Sequence, residues 1–405
     1  MSRANLPSWL VHASTGLAAG AALGCGAWAE QRVPVLALAL PVLVAVAKSR
    51  LQAFCIGFGY AAGVLRYAVA FIASWFEHDL AIGVAAVAAY ALITGVVWAC
   101  GWSGSPRLWV RVAAISAAWL LALAACIGAP GHPVIAAGFV LPGAGWGGVA
   151  LALALPGLAL VLAHILPSSA VRRCVLGAAL VGLGMAGLVL FEPAPVGSFR
   201  GVLAERTDWG ALRGQEAALP RLARIGAAGQ QATAATVIWP ESIIGRYEPA
   251  LYPVLEIEVL RASRRAVRTQ VIGMDLPMAG NRMLNAAVAF YPDGRTATAV
   301  ARQPAPVSLW KPWRRTDTFV TDWSAHNILD LGQGDRAAVI FCYEEYLPLL
   351  YLLNEAADAP TVYLALTNTW AAQSSAAALI QTWHSLGMAR LFGRPYLKSE
   401  NRPSG

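Results

Sequence analysis

Seven runs of mostly apolar residues fill the N-terminal half of this chain, near 9–29, 33–47, 51–76, 80–102, 109–129, 146–166 and 174–191. About 20 apolar residues of helix cross the hydrocarbon of a bilayer. In hydrocarbon every backbone polar group must pair within the protein, so runs like these are restricted to helices there. The second run is short, which suits a tilted or re-entrant helix, or one paired tightly with the first. The stretch 132–145 is also apolar, but PGAGWGG interrupts it, and it reads as a loop or half-helix. Between Leu10 and Phe191 charges occur only in small clusters, Arg66 being the main exception, whereas the chain from Glu192 onward is normally charged. A chain with 58% hydrophobic and 13% charged residues departs from the soluble average of about half and roughly 25%. The contrast predicts a polytopic membrane domain over 1–192 and a globular domain over 197–405. The first run lacks a small-residue cleavage site and more runs follow at once, so it does not read as a cleaved signal peptide.

Loop charges predict the orientation, because cytoplasmic loops are enriched in Lys and Arg. Lys48 and Arg50, then Arg107 and Arg111, then Arg172 and Arg173 occupy every second connection. The intervening connections carry Glu30 with Arg32, Glu77 with Asp79, and no charge. This alternation places the N-terminus in the cytoplasm and everything after Phe191 outside. In a bacterium the chain is then a multi-pass inner-membrane protein with a periplasmic C-terminal domain. Arg66 is costly inside a span and is expected to face the bundle interior, meet a lipid head group, or snorkel.

A formal charge of +8 invites a nucleic-acid reading. The arginines are scattered, however, and Arg261, Arg264, Arg265 and Arg268 recur at helical spacing, as on a solvated helix face. With the domain outside the cytoplasm, no direct nucleic-acid contact is expected. Cys25, Cys55, Cys100, Cys126 and Cys174 lie in or beside apolar runs, where cysteine behaves as a small hydrophobe. Neither a disulfide framework nor metal-ligand spacing is evident, and no metal or cofactor is expected.

In the second half short apolar runs alternate with helical ones. TVIWP (236–240), QVIGMDL (270–276), AAVAFYP (286–292), AAVIFCY (337–343) and TVYLALTN (361–368) read as strands. LPRLARIGAAGQQA and the segment from Ala376 to Leu391 read as helices. This mixture predicts an α/β or α+β sandwich. In VIWPESIIG the carboxylate of Glu241 follows a buried-type strand beside Trp239 and Pro240, where poor solvation raises its pKa and suits it to act as a general base. The alternative is an ordinary loop glutamate. In VIFCYEEYLP the thiol of Cys342 ends a second strand. If a helix starts at Glu344 and Glu345, acids suit its first turn, and its N-terminus with a nearby base would activate the thiol. The alternative is a buried core cysteine.

Taken together, WPES and, about a hundred residues later, FCYEEYLP resemble the nitrilase superfamily, which pairs a WPE-type glutamate with a CYE- or CYD-type cysteine. Further similarity lies in Asn285 of RMLNAAVAFYPDG, in LTNTWAA (366–372) and in HSLGMARLFGRPYLKSENRPSG. Membrane spans ahead of such a domain are similar to apolipoprotein N-acyltransferase and its relatives, in particular plasmid-encoded members that serve conjugal transfer. The resemblance covers essentially the whole chain and implies an αββα sandwich behind a multi-span α-helical bundle.

It also implies a Glu-Lys-Cys triad: Glu241 as base, Cys342 as thioester-forming nucleophile, and the Tyr343 backbone N–H as a donor to the oxyanion. Asn285 and Asn368 would lie on the substrate side. Where the family has lysine, AVARQPAPVSLWKPW offers Arg302, which cannot release a proton. Lys311 sits in the loop where the family carries a second glutamate. Family members continue past the Asn–Gly turn that ends this sequence with more strands and a last membrane helix, whose place a partner or the bundle would take. The implied function is acyl transfer through a Cys342 thioester to an amine, with a phospholipid or lipoprotein substrate, the bacterial inner membrane and other conjugation proteins as partners. The alternative is a nitrilase-fold component that acts through protein contacts without chemistry.

Overall fold

The computed structural model describes residues 7–28, 33–125, 130–166, 182, 198–212, 217–332, 334–372 and 375–403. Contacts divide the chain into two units. One comprises Met1–Pro193, Tyr346–Leu349 and Ser374–Gly393. The other comprises Ala194–Glu345, Leu350–Gln373 and Arg394–Gly405.

In the first unit, glycine spacing dictates how the apolar helices meet. Helix α1 (Ser8–Ala27) carries Gly16, Gly20 and Gly24 four residues apart, all buried on one face. That face lies on a third helix, α3 (Arg50–Val64), separated from α1 by the short α2 (Ala39–Ala45). A Cβ at Gly20 would stand 2.1 Å from the Ile56 carbonyl oxygen, and one at Gly59 would stand 2.4 Å from that of Leu17. Small residues that let backbones touch are how apolar helices associate without a hydrophobic driving force. Five further helices are α4 (Ala68–Ser74), α5 (Leu80–Cys100), α6 (Leu108–Ala124), α7 (Pro133–Val140) and α8 (Gly145–Ile165). Ser49 caps α3 and Asp79 caps α5, each side chain accepting backbone N–H groups of the first turn.

Three of these helices, α1, α5 and α8, are long and apolar enough to cross a membrane, and less than a third of each lies buried. The third expected span is instead a broken pair, α3 and α4, bent by 61°. The second and fifth are shorter apolar helices, and the seventh run lies outside the described residues. The described residues therefore hold three full-length spanning candidates, or four with the bent pair, where seven runs were counted. Arg66 stands at the bend. It sits between α3 and α4, donates to the carbonyls of Gly63 (2.6 Å) and Trp28 (3.4 Å), and stacks 4.3 Å from the Tyr67 ring centroid. The charge caps two helix ends at a break.

The basic connections also meet. Arg111 donates to the Ala45 carbonyl (3.1 Å) and Trp102 to that of Ala47 (2.8 Å), so the Lys48–Arg50 and Arg107–Arg111 connections share one end of the unit. The helix Ser375–Leu391, from the later part of the sequence, packs with α7, where Gly138 and Gly387 touch backbone to backbone. His384 of that helix accepts the Gly131 N–H on Nε2 (2.7 Å), so its Nδ1 carries the proton donated to the Ile380 carbonyl (2.7 Å).

The second unit is a four-layer αββα sandwich. One sheet has the order β1 (Ser198–Phe199), β2 (Val202–Ala204), β4 (Thr236–Ile238), β5 (Thr269–Met278), β6 (Arg282–Phe290), β7 (Thr296–Val300). The other runs β3 (Arg206–Thr207), β11 (Tyr396–Asn401), β10 (Val362–Asn368), β9 (Arg336–Phe341), β8 (Ile328–Asp330). Alternation decides the layers. Ile238, Val271, Val339, Phe341, Leu364 and Leu366 face the core between the sheets. Val237, Ile272 and Val288 face outward onto the helix Ala218–Gln231 and the helical stretch 252–266. Strands covered on both faces read as continuous apolar runs rather than alternating ones. On the outer face of the second sheet lies the helix Pro348–Ala357, with Tyr351 packed 4.9 Å from Tyr363. The five expected strands are present, and β1, β2, β3, β7, β8 and β11 are additional.

Candidate active site

Strand β4 ends at Ile238, and the next five residues form the first wall of the site. Trp239 N–H bonds the Val271 carbonyl (2.8 Å) and its indole donates to Gln270 (2.9 Å), so the chain stays tight against β5. Gly273 makes the approach possible, since a Cβ there would fall 2.1 Å from the Pro240 carbonyl oxygen. Pressed between these groups, Glu241 is 4% exposed. Asn285 on β6, itself buried, donates from Nδ2 to Glu241 Oε1 (2.5 Å). Glu241 is also in hydrogen-bond contact with the thiol of Cys342.

Cys342 stands where β9 gives way to a 3-10 turn, Cys342–Tyr346, and its φ of +27° lies in the left-handed region disfavoured for a residue with a Cβ. Strain of this kind persists only where the surroundings hold it, and two buried carboxylates supply the hold. Glu344 accepts the backbone N–H groups of Phe341 (2.9 Å) and Gln303 (2.8 Å). Glu345 accepts from Thr367 (3.0 Å), Tyr396 (2.6 Å) and the Lys398 ammonium (3.1 Å). The helix itself begins only at Pro348. Glu344 and Glu345 are thus internal struts of the thiol-bearing turn, not acids set against a helix dipole as the spacing had suggested.

Burial governs the electrostatics. It pushes the Glu241 carboxyl up to about 8; Asn285 and the thiol oppose the rise, while Asp275 and Glu344 add to it. Glu344 rises to about 7 through burial, opposed by the backbone donors it accepts. Burial thus favours the protonated form of Glu241 near neutral pH, and the carboxylate formed at higher pH would lie against the thiol, in place to accept its proton.

No protein-family model matches the chain. Conjugal transfer protein TraB from Agrobacterium fabrum is 27% identical over 409 aligned residues, which cover 94% of this chain and 90% of that protein. The chain is similar to that protein over nearly its whole length. A second relative, a probable conjugal transfer protein TraB from Sinorhizobium fredii, is 24% identical over 90% of this chain and 92% of its own length. Among solved structures, an amidase from Nesterenkonia sp. aligns with 49% of this chain and 74% of its own at 16% identity and a TM-score of 0.38. A carbon-nitrogen hydrolase from Helicobacter pylori G27 aligns with 50% of this chain and 72% of its own at 12% identity and a TM-score of 0.37.

Of the residues singled out in the sequence, Glu241, Asn285 and Cys342 come together. Arg302 follows β7 directly and is buried, but its guanidinium donates to the Ala325 carbonyl (2.9 Å) and to Asn354 Oδ1 (2.6 Å). Lys311 lies half-buried in the loop after Arg302, its backbone N–H on Thr318 Oγ1 (2.8 Å). Asn368 ends β10 and accepts from Asn401 (3.0 Å), which also accepts the Thr207 hydroxyl. Tyr343 follows the thiol on the 3-10 turn and is half-buried. Three residues carry no motif signal as site residues: Asn354, which holds Arg302, and Ser242 with Asp275, beside Glu241; Lys398, which holds Glu345, reads in the sequence only as a lysine near the C-terminus. Ser242 only adjoins the WPE motif. The others reach the site only through strand and helix pairing.

Proposed function

We propose that this protein is a membrane-anchored component of plasmid conjugal transfer whose second unit transfers an acyl group through a thioester on Cys342. Contact among the Glu241 carboxyl, the Cys342 thiol and Asn285 carries the reading. Glu241 takes the thiol proton as sulfur attacks an acyl carbon. The oxyanion that develops needs donors fixed in advance, and the Tyr343 backbone N–H is assigned that role from the family resemblance. Collapse expels the donor's leaving group, which receives the proton from Glu241. An amine, or water, then attacks the thioester and frees the thiol. The apolar helices of the first unit support a lipid-linked substrate and residence in the inner membrane, and the alternation of basic connections supports a periplasmic second unit. Incubation with labelled phospholipid should leave an acyl mass on the Cys342 peptide, absent from Cys342→Ala; label retained in that variant would defeat the assignment.

The engagement of Arg302 with Asn354 and Ala325 favours a second reading, in which the site no longer turns over and the protein acts through contacts with other conjugation proteins. Mating efficiency separates the two readings. Well-expressed Cys342→Ala and Glu241→Ala variants should lower it if chemistry matters, and leave it intact if only contacts do.

A further inference from the structure

The turn after Glu241 is tied to one carboxylate that the proposed chemistry does not use. Asp275 stands on β5 directly opposite Asn285 on β6, the residue that donates to Glu241. Ser242, the residue after Glu241, has a φ of +45°, and in this disfavoured conformation its hydroxyl donates to Asp275 Oδ1 at 2.6 Å. Both backbone groups of Asp275 are spent on the same turn: its N–H on the Gly245 carbonyl (2.8 Å), its carbonyl on the Tyr247 N–H (2.8 Å). The carboxylate is thus held by the residue next to Glu241 and its backbone is pinned to the same turn, at the cost of a strained serine.

We propose that Asp275, held by Ser242, is a positioning residue whose negative charge adds to burial in keeping Glu241 protonated and so tunes the pH at which Cys342 becomes a nucleophile. The inference rests on the reading of Glu241 as the base for the thiol. Two carboxylates near one another do not ionise together, and environments that separate their pKa values assign their roles. Burial pushes the Asp275 carboxyl up to about 6, against the Ser242 hydroxyl that eases it, and pushes Glu241 further, to about 8. Asp275 therefore ionises first, and its charge opposes the second ionisation. The other groups around Glu241 are the Glu344 carboxyl on the 3-10 turn, the Cys342 thiol and the neutral Asn285 amide. The nearby cation Arg302 acts on Glu344.

The test is the rate at which iodoacetamide alkylates Cys342 in the full-length protein in detergent, followed on the Cys342 peptide by mass spectrometry from pH 5 to 10. The reagent requires thiolate, which displaces iodide with no further reactant. The wild-type rate should rise with a midpoint near that of Glu241. Asp275→Asn should lower the midpoint by at least about half a pH unit, Ser242→Ala should lower it by less, and Asp275→Glu, which keeps the charge, should restore it. A folded Asp275→Asn protein with an unmoved midpoint would overturn the proposal. Should that variant fail to fold, an unmoved midpoint in Ser242→Ala would overturn it equally. Glu241→Gln separates the two levels. If it leaves the wild-type profile unchanged, Glu241 is not the base. If it abolishes the rise while Asp275→Asn does nothing, Glu241 stands and Asp275 falls.

Discussion

Gly273 shows how little freedom the site allows at a single position. Alanine there would put a methyl group against the Pro240 backbone. Gly273→Ala is expected to displace Glu241, cost more than about 1 kcal/mol, and slow Cys342 alkylation more than tenfold, as read by thermal denaturation and peptide-resolved labelling. Glu241 gives a prediction with a definite sign. Its folded-state pKa lies above the ordinary carboxylate range because of burial, so the folded state holds the proton more tightly than the unfolded chain. Stability is then lost as pH rises from about 4.5 through about 8, and the penalty levels off only above that. Glu241→Gln should match the wild type near pH 4.5 and gain in Tm across that window, by about 2–4 °C for each kcal/mol relieved. A constant difference across the window would contradict this. Of the site, Glu241, Cys342 and Asn285 were legible as motif residues. Asp275 was not, because facing Asn285 is a property of strand register and no local pattern encodes it.

At the scale of elements, the 3-10 turn Cys342–Tyr346 depends on distant strands. Lys398 on β11 supplies the cation for Glu345 with almost no exposure of either side chain. Lys398→Met leaves that carboxylate buried without its ion pair, and removal of one partner of a buried pair costs about 3–5 kcal/mol. Urea denaturation followed by tryptophan fluorescence should register the loss, and unchanged stability would mean that Thr367 and Tyr396 suffice. Sequence periodicity located the long strands β5, β6, β9 and β10 because both their faces are apolar. It passed over β11, whose YLKSEN places a lysine and a glutamate in buried positions, and the strands of two or three residues, which are too short to show a period. Between α1 and α3 the same logic runs through glycine. Gly20→Leu would meet the Ile56 carbonyl, and it should lower the yield of folded protein extracted from membranes, whereas leucine at exposed Leu17's neighbour Ala18 should not.

For the whole molecule, the orientation is open to a direct test. If the N-terminus lies in the cytoplasm, reporter fusions at residue 250 should be active only with a periplasm-dependent enzyme; activity of a cytoplasmic reporter there would remove the argument for a periplasmic site. The alternating basic connections predict this, and the contact of the Lys48–Arg50 and Arg107–Arg111 connections at one end of the first unit agrees with it. What the amino-acid sequence determined by itself was whatever follows from local composition: apolar helical runs, apolar strands, and two motifs that carry a carboxylate and a thiol at strand ends. Those properties depend on neighbours along the chain. Tertiary structure alone decided that Arg66 caps a break, that Arg302 is engaged by Asn354, and that Asp275 stands behind Glu241. Each depends on hydrogen bonds or charges between groups far apart in sequence, and the folded backbone alone brings them within reach.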